Sequence, residues 1–236
     1  MAFHFHTTCW TMVLDAGGDD SDVRRPALEE LCRRYWRPLH AYVRGHGLGE
    51  EDAEDVTQSF FALLLERNLP GRAHPGGGRF RCFLLTSIRN FLQSYLGRRQ
   101  SLKRGGAVGP LLDVEDPELN LANRLTTGET PETAYERKWA HTLIEIALEQ
   151  LGAEQAALGQ ADRFEVLREH LFDPGGRSAH AALAARMNLN EGGVRTALSR
   201  LRARFRDLIR AEVARLVDDP SEVDDELAHL LRVLRG

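Results

Sequence analysis

The chain has 236 residues, 42% of them apolar, and a formal net charge of −4. That length accommodates one large domain or two small ones with real cores, and near-neutrality by itself does not indicate a nucleic-acid partner. Three cysteines, at positions 9, 32 and 82, lack paired spacing, which argues against a disulfide framework or a zinc site and fits a reducing cytosol.

Periodicity is helical nearly throughout. Pro26 suits a first helical turn, and Leu28, Leu31, Tyr35, Leu39 and Tyr42 follow at spacings of three or four. Pro38 is expected to kink or split that helix, and Gly45 and Gly47 to close it. A second helix is expected from near Glu50, with acids at its positive dipole end and Ala53, Val56, Phe60, Phe61 and Leu64 on its apolar face. Residues 69–78 hold two prolines and a run of three glycines and are expected to form a loop. A third helix, about 79–100, places Phe80, Phe83, Leu84, Ile88, Phe91, Leu92 and Tyr95 on one side. Residues 105–131 lack periodicity and are rich in Gly and Pro, as a linker is.

Helices resume near Thr133 with a stripe of Trp139, Leu143, Ile146, Ala147 and Leu151, then a second with Phe164, Leu167, Leu171 and Phe172. Asp173-Pro174-Gly175-Gly176 is a sharp stop. Two further helical units, roughly 178–187 and 190–217, precede a tail. No alternating strand pattern is visible, so the expected class is all-α. The longest apolar runs are a few residues, as in Leu63-Leu64-Leu65, far short of the roughly 20 of a membrane span. The opening MAFHFHTTCW lacks the order of a signal peptide. A cytoplasmic location, away from the membrane, is the expectation.

Charge is segregated along the chain. Residues 45–65 hold five acids and no Lys or Arg, and residues 79–106 hold seven cations and no acid. Residues 186–215 hold eight arginines against three acids, and residues 218–226 hold six acids and no cation. The acids at 50–55 either meet a basic partner or cap their own helix. In the basic third helix the cations suit phosphate, and Phe80, Phe83 and Tyr95 either stack on unpaired bases or belong to the core.

Residues 178–206 read as a helix-turn-helix. Ser178 is the expected N-cap, Asn188-Leu189-Asn190 the turn, and Val194, Leu198, Leu201 and Phe205 the buried side of the second helix. Arg195, Thr196, Ser199, Arg200 and Arg202 then face outward, as a helix entering a major groove requires and as an ordinary solvated helix also allows. No Ser-His-Asp order, metal-ligand spacing or phosphate loop is present, so neither an enzyme nor a cofactor or metal is expected. His4 and His6 fall in a terminus of the kind that frays.

Three segments together resemble bacterial RNA polymerase sigma factors of the extracytoplasmic-function type. Residues 28–67, with Tyr35, Glu51-Asp52-Ala53-Glu54-Asp55-Val56-Thr57-Gln58 and Phe60-Phe61, resemble the family's second conserved region. Arg79-Phe80-Arg81-Cys82-Phe83-Leu84-Leu85 and Arg89-Asn90-Phe91 resemble its continuation toward the minus-ten element. Residues 190–202, from Asn190-Glu191-Gly192-Gly193 to Ser199-Arg200-Leu201-Arg202, resemble the recognition helix of the fourth region. The likeness covers about residues 26–104 and 141–215.

The resemblance implies an all-α chain of two small helical domains joined by a linker. Residues 1–104 correspond to the region-two domain, 105–132 to the linker, 133–217 to the helix-turn-helix domain, and 218–236 to an acidic tail with a short helix. It implies core RNA polymerase and promoter DNA as partners, with an anti-sigma factor or a regulatory kinase as further candidates. Asp52, Asp55 and Gln58 match the polymerase-docking surface. Asn90 matches a residue near the flipped minus-ten base, and residues 69–79 match the segment forming the base pocket. Arg195, Thr196, Ser199 and Arg200 match minus-thirty-five contacts. Arg202, Arg79, Arg89, Arg98 and Arg99 complete the expected DNA-binding set.

The glycine-rich loop, the long lead over 151–172, Gly193 in place of the family's threonine, the tail, and the segment Trp10-Thr11-Met12-Val13-Leu14 depart from the usual pattern. Together they resemble an extended subgroup. Rival readings are a helix-turn-helix regulator that does not dock polymerase, and an adaptor that binds an anti-sigma protein. In the tail, Leu227, Leu230, Leu231 and Leu234 form a stripe at helical spacing. Its acids either restrain DNA binding by covering residues 200–215, or the stripe completes the core of the fourth region.

Overall fold

The computed structural model describes residues 15–16, 18, 20–67, 79–103, 129–172, 177–217 and 219–235. The expected loop at 69–78, the linker over 105–128, the stop at 173–176 and the segment at 10–14 lie outside the described residues.

Among the described residues the protein is all-helical. The helices are α1 (Ser21–Arg44), α2 (Glu50–Glu66), α3 (Phe80–Lys103), α4 (Pro131–Ala157), α5 (Ala161–Arg168), α6 (Arg177–Met187), α7 (Glu191–Ala214) and, after a 3-10 turn at Pro220–Glu222, α8 (Val223–Arg235). None is long and apolar enough to cross a membrane. The chain falls into two compact units, Met1–Thr142 with Ala214–Gly236, and Leu143–Val213. This division lies within α4, and residues 214–236 group with the first unit.

In the first unit, α1 begins earlier than Pro26. Asp20 caps it, its carboxylate accepting the Asp22 N–H at 3.0 Å. The helix also runs unbroken through Pro38. Proline removes one backbone hydrogen bond, and complete burial of Tyr35, Leu39, Tyr42 and Val43 around it offsets that loss. Here the expected split does not occur. Gly45 ends the helix and Gly47 turns the chain at φ +84°, where a side chain is strained.

The five apolar positions expected of α2 are all buried, and so are Phe80, Leu84, Ile88 and Leu92 of α3. Tyr35 meets Phe80 edge-on with ring centroids 5.6 Å apart, and Phe60 lies 5.7 Å from Phe91. These contacts fix α3 against α1 and α2. Phe80 is therefore a core residue and is not available to stack on bases. Phe83 stacks on it at 5.8 Å.

The tail helix α8 packs in the first unit through Val223, Glu226 and Leu230. Of the expected leucine stripe only Leu230 is buried, and Leu231 is 51% exposed. Fully buried Glu226 receives Arg81 and Arg79, the latter at 2.7 Å. The Arg81 guanidinium lies 4.4 Å over the Trp139 ring of α4, and His229 of α8 sits 3.0 Å from Glu136. The tail helix thus engages the start of α3 and the first half of α4, and its buried acid meets Arg79 and Arg81.

In the second unit, Leu143, Ile146, Ala147 and Leu151 of α4, Phe164 and Leu167 of α5, and Val194, Leu198 and Leu201 of α7 are all buried. Phe172, expected on that face, is 60% exposed and makes an edge contact with Phe205. Helix α6 starts at Arg177, so Ser178 falls in its first turn and not at its cap.

One close approach is testable by its sign. A Cβ at Gly45 would lie 2.8 Å from the Pro131 Cα, whereas one at Gly97 in α3 meets nothing within 4 Å. Gly45→Ala should destabilise by about 1–3 kcal/mol through overpacking. Gly97→Ala should stabilise by about 0.5–1 kcal/mol through helix propensity. Urea unfolding of both variants checks the pair.

Candidate nucleic-acid interface

The candidate interface in the second unit is built on the connection between α6 and α7. Asn188 takes a left-handed conformation at φ +50°. The Leu189 N–H reaches the Ala184 carbonyl at 2.9 Å, and the Asn188 N–H reaches that of Ala185 at 3.4 Å. This pair of bonds closes a helix in the Schellman manner, with asparagine in the place glycine usually takes. Asn190 then caps α7. Its Oδ1 accepts the Gly193 N–H at 2.7 Å, so the side chain of Asn190 supplies the cap and Gly193 only its backbone. Three residues thus end one helix and start the next.

Arg195, Thr196, Ser199 and Arg200 are all exposed. They occupy adjoining positions at spacings of three and four, opposite buried Val194, Leu198 and Leu201. Thr196 donates to the Gly192 carbonyl at 2.9 Å. Thr196 and Arg200 also line an open groove with Phe164, Leu167 and Leu201.

Arg202 is placed differently. Its Nε donates to the Leu171 carbonyl at 2.8 Å and its Nη2 to that of His170 at 2.9 Å. A planar guanidinium suits two adjacent carbonyls, and these follow the end of α5, where backbone acceptors lack helical partners. Arg202 is thus engaged in holding the second unit together. Arg204 makes a two-pronged pair with Glu154 at 2.6 and 2.8 Å.

In the first unit, Asp55 and Gln58 are exposed on one face of α2. Asp52 instead accepts from Arg99 at 2.9 Å, joining an acid expected at a protein interface to a cation expected on DNA. Asn90 is exposed, and its carbonyl accepts from Ser94 at 2.9 Å. Arg98 donates to the Ser94 carbonyl at 3.1 Å. Arg89 bonds Glu132 at 2.7 Å and Tyr42 at 3.4 Å, tying α3 to α4 and α1. Arg79 is held by Glu226. Runs of charge do not identify the partners of Arg89, Arg99 and Arg79, which lie 43 to 147 positions away.

Among the described residues no three His, Cys, Asp or Glu are grouped to hold a metal ion. No family model, curated protein or solved structure matches the chain.

Arg202→Ala should lower stability by about 1.5–3 kcal/mol, the range for hydrogen bonds to a charged group. Arg195→Ala and Arg200→Ala should unfold within about 0.5 kcal/mol of the parent, as exposed substitutions do. Thermal unfolding followed by circular dichroism distinguishes the two behaviours.

Two carboxyls give a pH dependence. The hydrogen bond from Arg204 holds Glu154 below its ordinary 4.5 against desolvation, with the Arg204 charge adding to it. Burial pushes Glu132 up, but its own backbone N–H and Arg89 outweigh that and leave it below 4.5. A depressed carboxyl stabilises the fold above its unfolded pKa and loses that contribution as pH falls through the folded value. Stability should therefore decline below about pH 4.5. The decline should be shallower in Glu132→Gln and Glu154→Gln, as read from unfolding midpoints between neutral and acid pH.

Proposed function

We propose that the chain is an RNA polymerase sigma factor of the extracytoplasmic-function type, a non-enzymatic protein that directs core polymerase to a class of promoters. The observation that carries this reading is the exposed row of Arg195, Thr196, Ser199 and Arg200 beside the capped turn at 188–190. That arrangement fits a helix-turn-helix whose second helix enters a major groove, where arginine pairs with guanine O6 and N7. The sequence likeness of residues 28–67 and 79–91 to the family's second region supports the other half.

In this reading the division of labour is physical. The first unit docks polymerase through the α2 face of Asp55 and Gln58 and holds the unpaired minus-ten strand near Asn90. Holding a base out of the stack offsets a few kcal/mol of unpairing. The second unit reads minus-thirty-five duplex. Polymerase supplies all of the catalysis. Arg202, Arg89 and Arg99 serve this function by shaping the units, and their hydrogen bonds are the reason for moving them out of the direct-contact set.

The deciding experiment is co-purification with core RNA polymerase followed by promoter-dependent transcription from purified components. Transcription by the intact chain supports the reading, and failure to retain polymerase overturns it. Arg195→Ala and Arg200→Ala should each cost about 1–3 kcal/mol against the cognate duplex while polymerase retention persists. Asp55→Lys should lower retention with little change in thermal stability.

A further inference from the structure

We propose that α8 is an internal competitor for nucleic acid, with Glu226 holding the phosphate-binding position that Arg79 and Arg81 form at the start of α3. The proposal rests on the reading of the first unit as a nucleic-acid binder.

Helix α3 begins with an electrostatic anomaly. Its first turn carries no acid, and arginines stand at positions 79 and 81, although the positive end of a helix dipole favours anions and disfavours cations. The missing negative charge comes from α8. Both oxygens of Glu226 are used. Oε1 accepts from Arg81, and Oε2 lies 2.7 Å from Arg79 Nη1 and 3.5 Å from Arg81 Nη2. Two guanidinium groups converging on one anion beside a helix N-terminus make the donor set that binds phosphate oxygens.

Arg81 is also held by groups other than Glu226. Arg81 rests on Trp139, its Nε lies 3.5 Å from Glu136, and its backbone carbonyl accepts the Tyr135 hydroxyl at 3.0 Å. Arg79 is one-third exposed and so reaches solvent with α8 in place. The occupant, by contrast, is suited to leave. It is a helix of 13 residues, marginal by itself in water. It is held by Val223, Glu226, Leu230 and the His229–Glu136 contact. A polyanion able to replace Glu226 would release counterions as it did so. A buried structural ion pair alone would not predict that exchange.

The test uses the full-length chain and a fluorescent oligothymidylate of about 20 nucleotides, a sequence-neutral single strand. Glu226→Gln should bind it roughly five-fold tighter or more, with a salt dependence steeper by about one phosphate contact. Adding Arg79→Ala to that variant should return the affinity to the parent value. A folded Glu226→Gln protein with parental affinity and salt slope overturns the proposal.

If that variant does not fold, hydrogen exchange of the unmodified chain decides. Faster exchange of the amides at 223–235 with saturating oligonucleotide supports displacement of α8, and unchanged or slower exchange overturns it. Promoter-dependent transcription separates this result from the functional reading beneath it. Tighter binding by Glu226→Gln without transcription by the intact chain removes the sigma-factor reading and leaves the competitor. Transcription with no gain in oligonucleotide affinity removes the competitor and leaves the sigma factor.

Discussion

A guanidinium group cannot be taken out of water without a partner, and Arg81 is only 5% exposed. Desolvation of an ion costs several kcal/mol even after relaxation, and removing one member of a buried pair costs about 3–5 kcal/mol. Glu226, the Trp139 face and Glu136 together meet that demand. They come from α8 and α4, so one side chain of α3 dictates where three helices lie in the first unit. Apolar contacts add stability with little directional preference. The ion pair adds direction, because only one placement of α8 brings its carboxylate to both arginines.

The second unit uses arginine in a related way. Arg202 satisfies carbonyls that the end of α5 leaves open, and Arg204 clamps Glu154 on α4. Counted by charge, the eight arginines of residues 186–215 form one basic surface. Geometry separates Arg202 and Arg204, which hold helices together, from exposed side chains such as Arg195 and Arg200. A high density of arginine is therefore weak evidence of phosphate contact until each guanidinium has been accounted for.

Helical periodicity was legible in the sequence wherever the buried face was apolar. The faces of α2, α4 and α7 follow the spacing of their large side chains, and Gly45 and Gly47 mark the end of α1. The exceptions share one cause: long-range contacts that a local pattern does not contain. Pro38 is carried through by a tightly packed α1. The buried face of α8 is Val223, Glu226 and Leu230, and a glutamate within it hides the face from any search for apolar residues. For Phe80 the local pattern allows both base stacking and the core, and the edge contact with Tyr35 decides for the core. Of the candidate interface, the row on α7 was legible because a neighbouring apolar stripe defines its opposite side. The engagement of Arg79, Arg89, Arg99 and Arg202 was not legible.

The distance along the chain between Arg81 and its carboxylate has a consequence for synthesis. The two are 145 positions apart, and Glu226 lies within α8. Domains generally fold as they emerge, amino-terminal parts first, at about 5–20 residues per second. Until residue 226 has been made, the first unit therefore holds an arginine with no carboxylate from α8. A nascent chain truncated before residue 226 is accordingly a poor substitute for the finished one, even though α1, α2 and α3 are already complete.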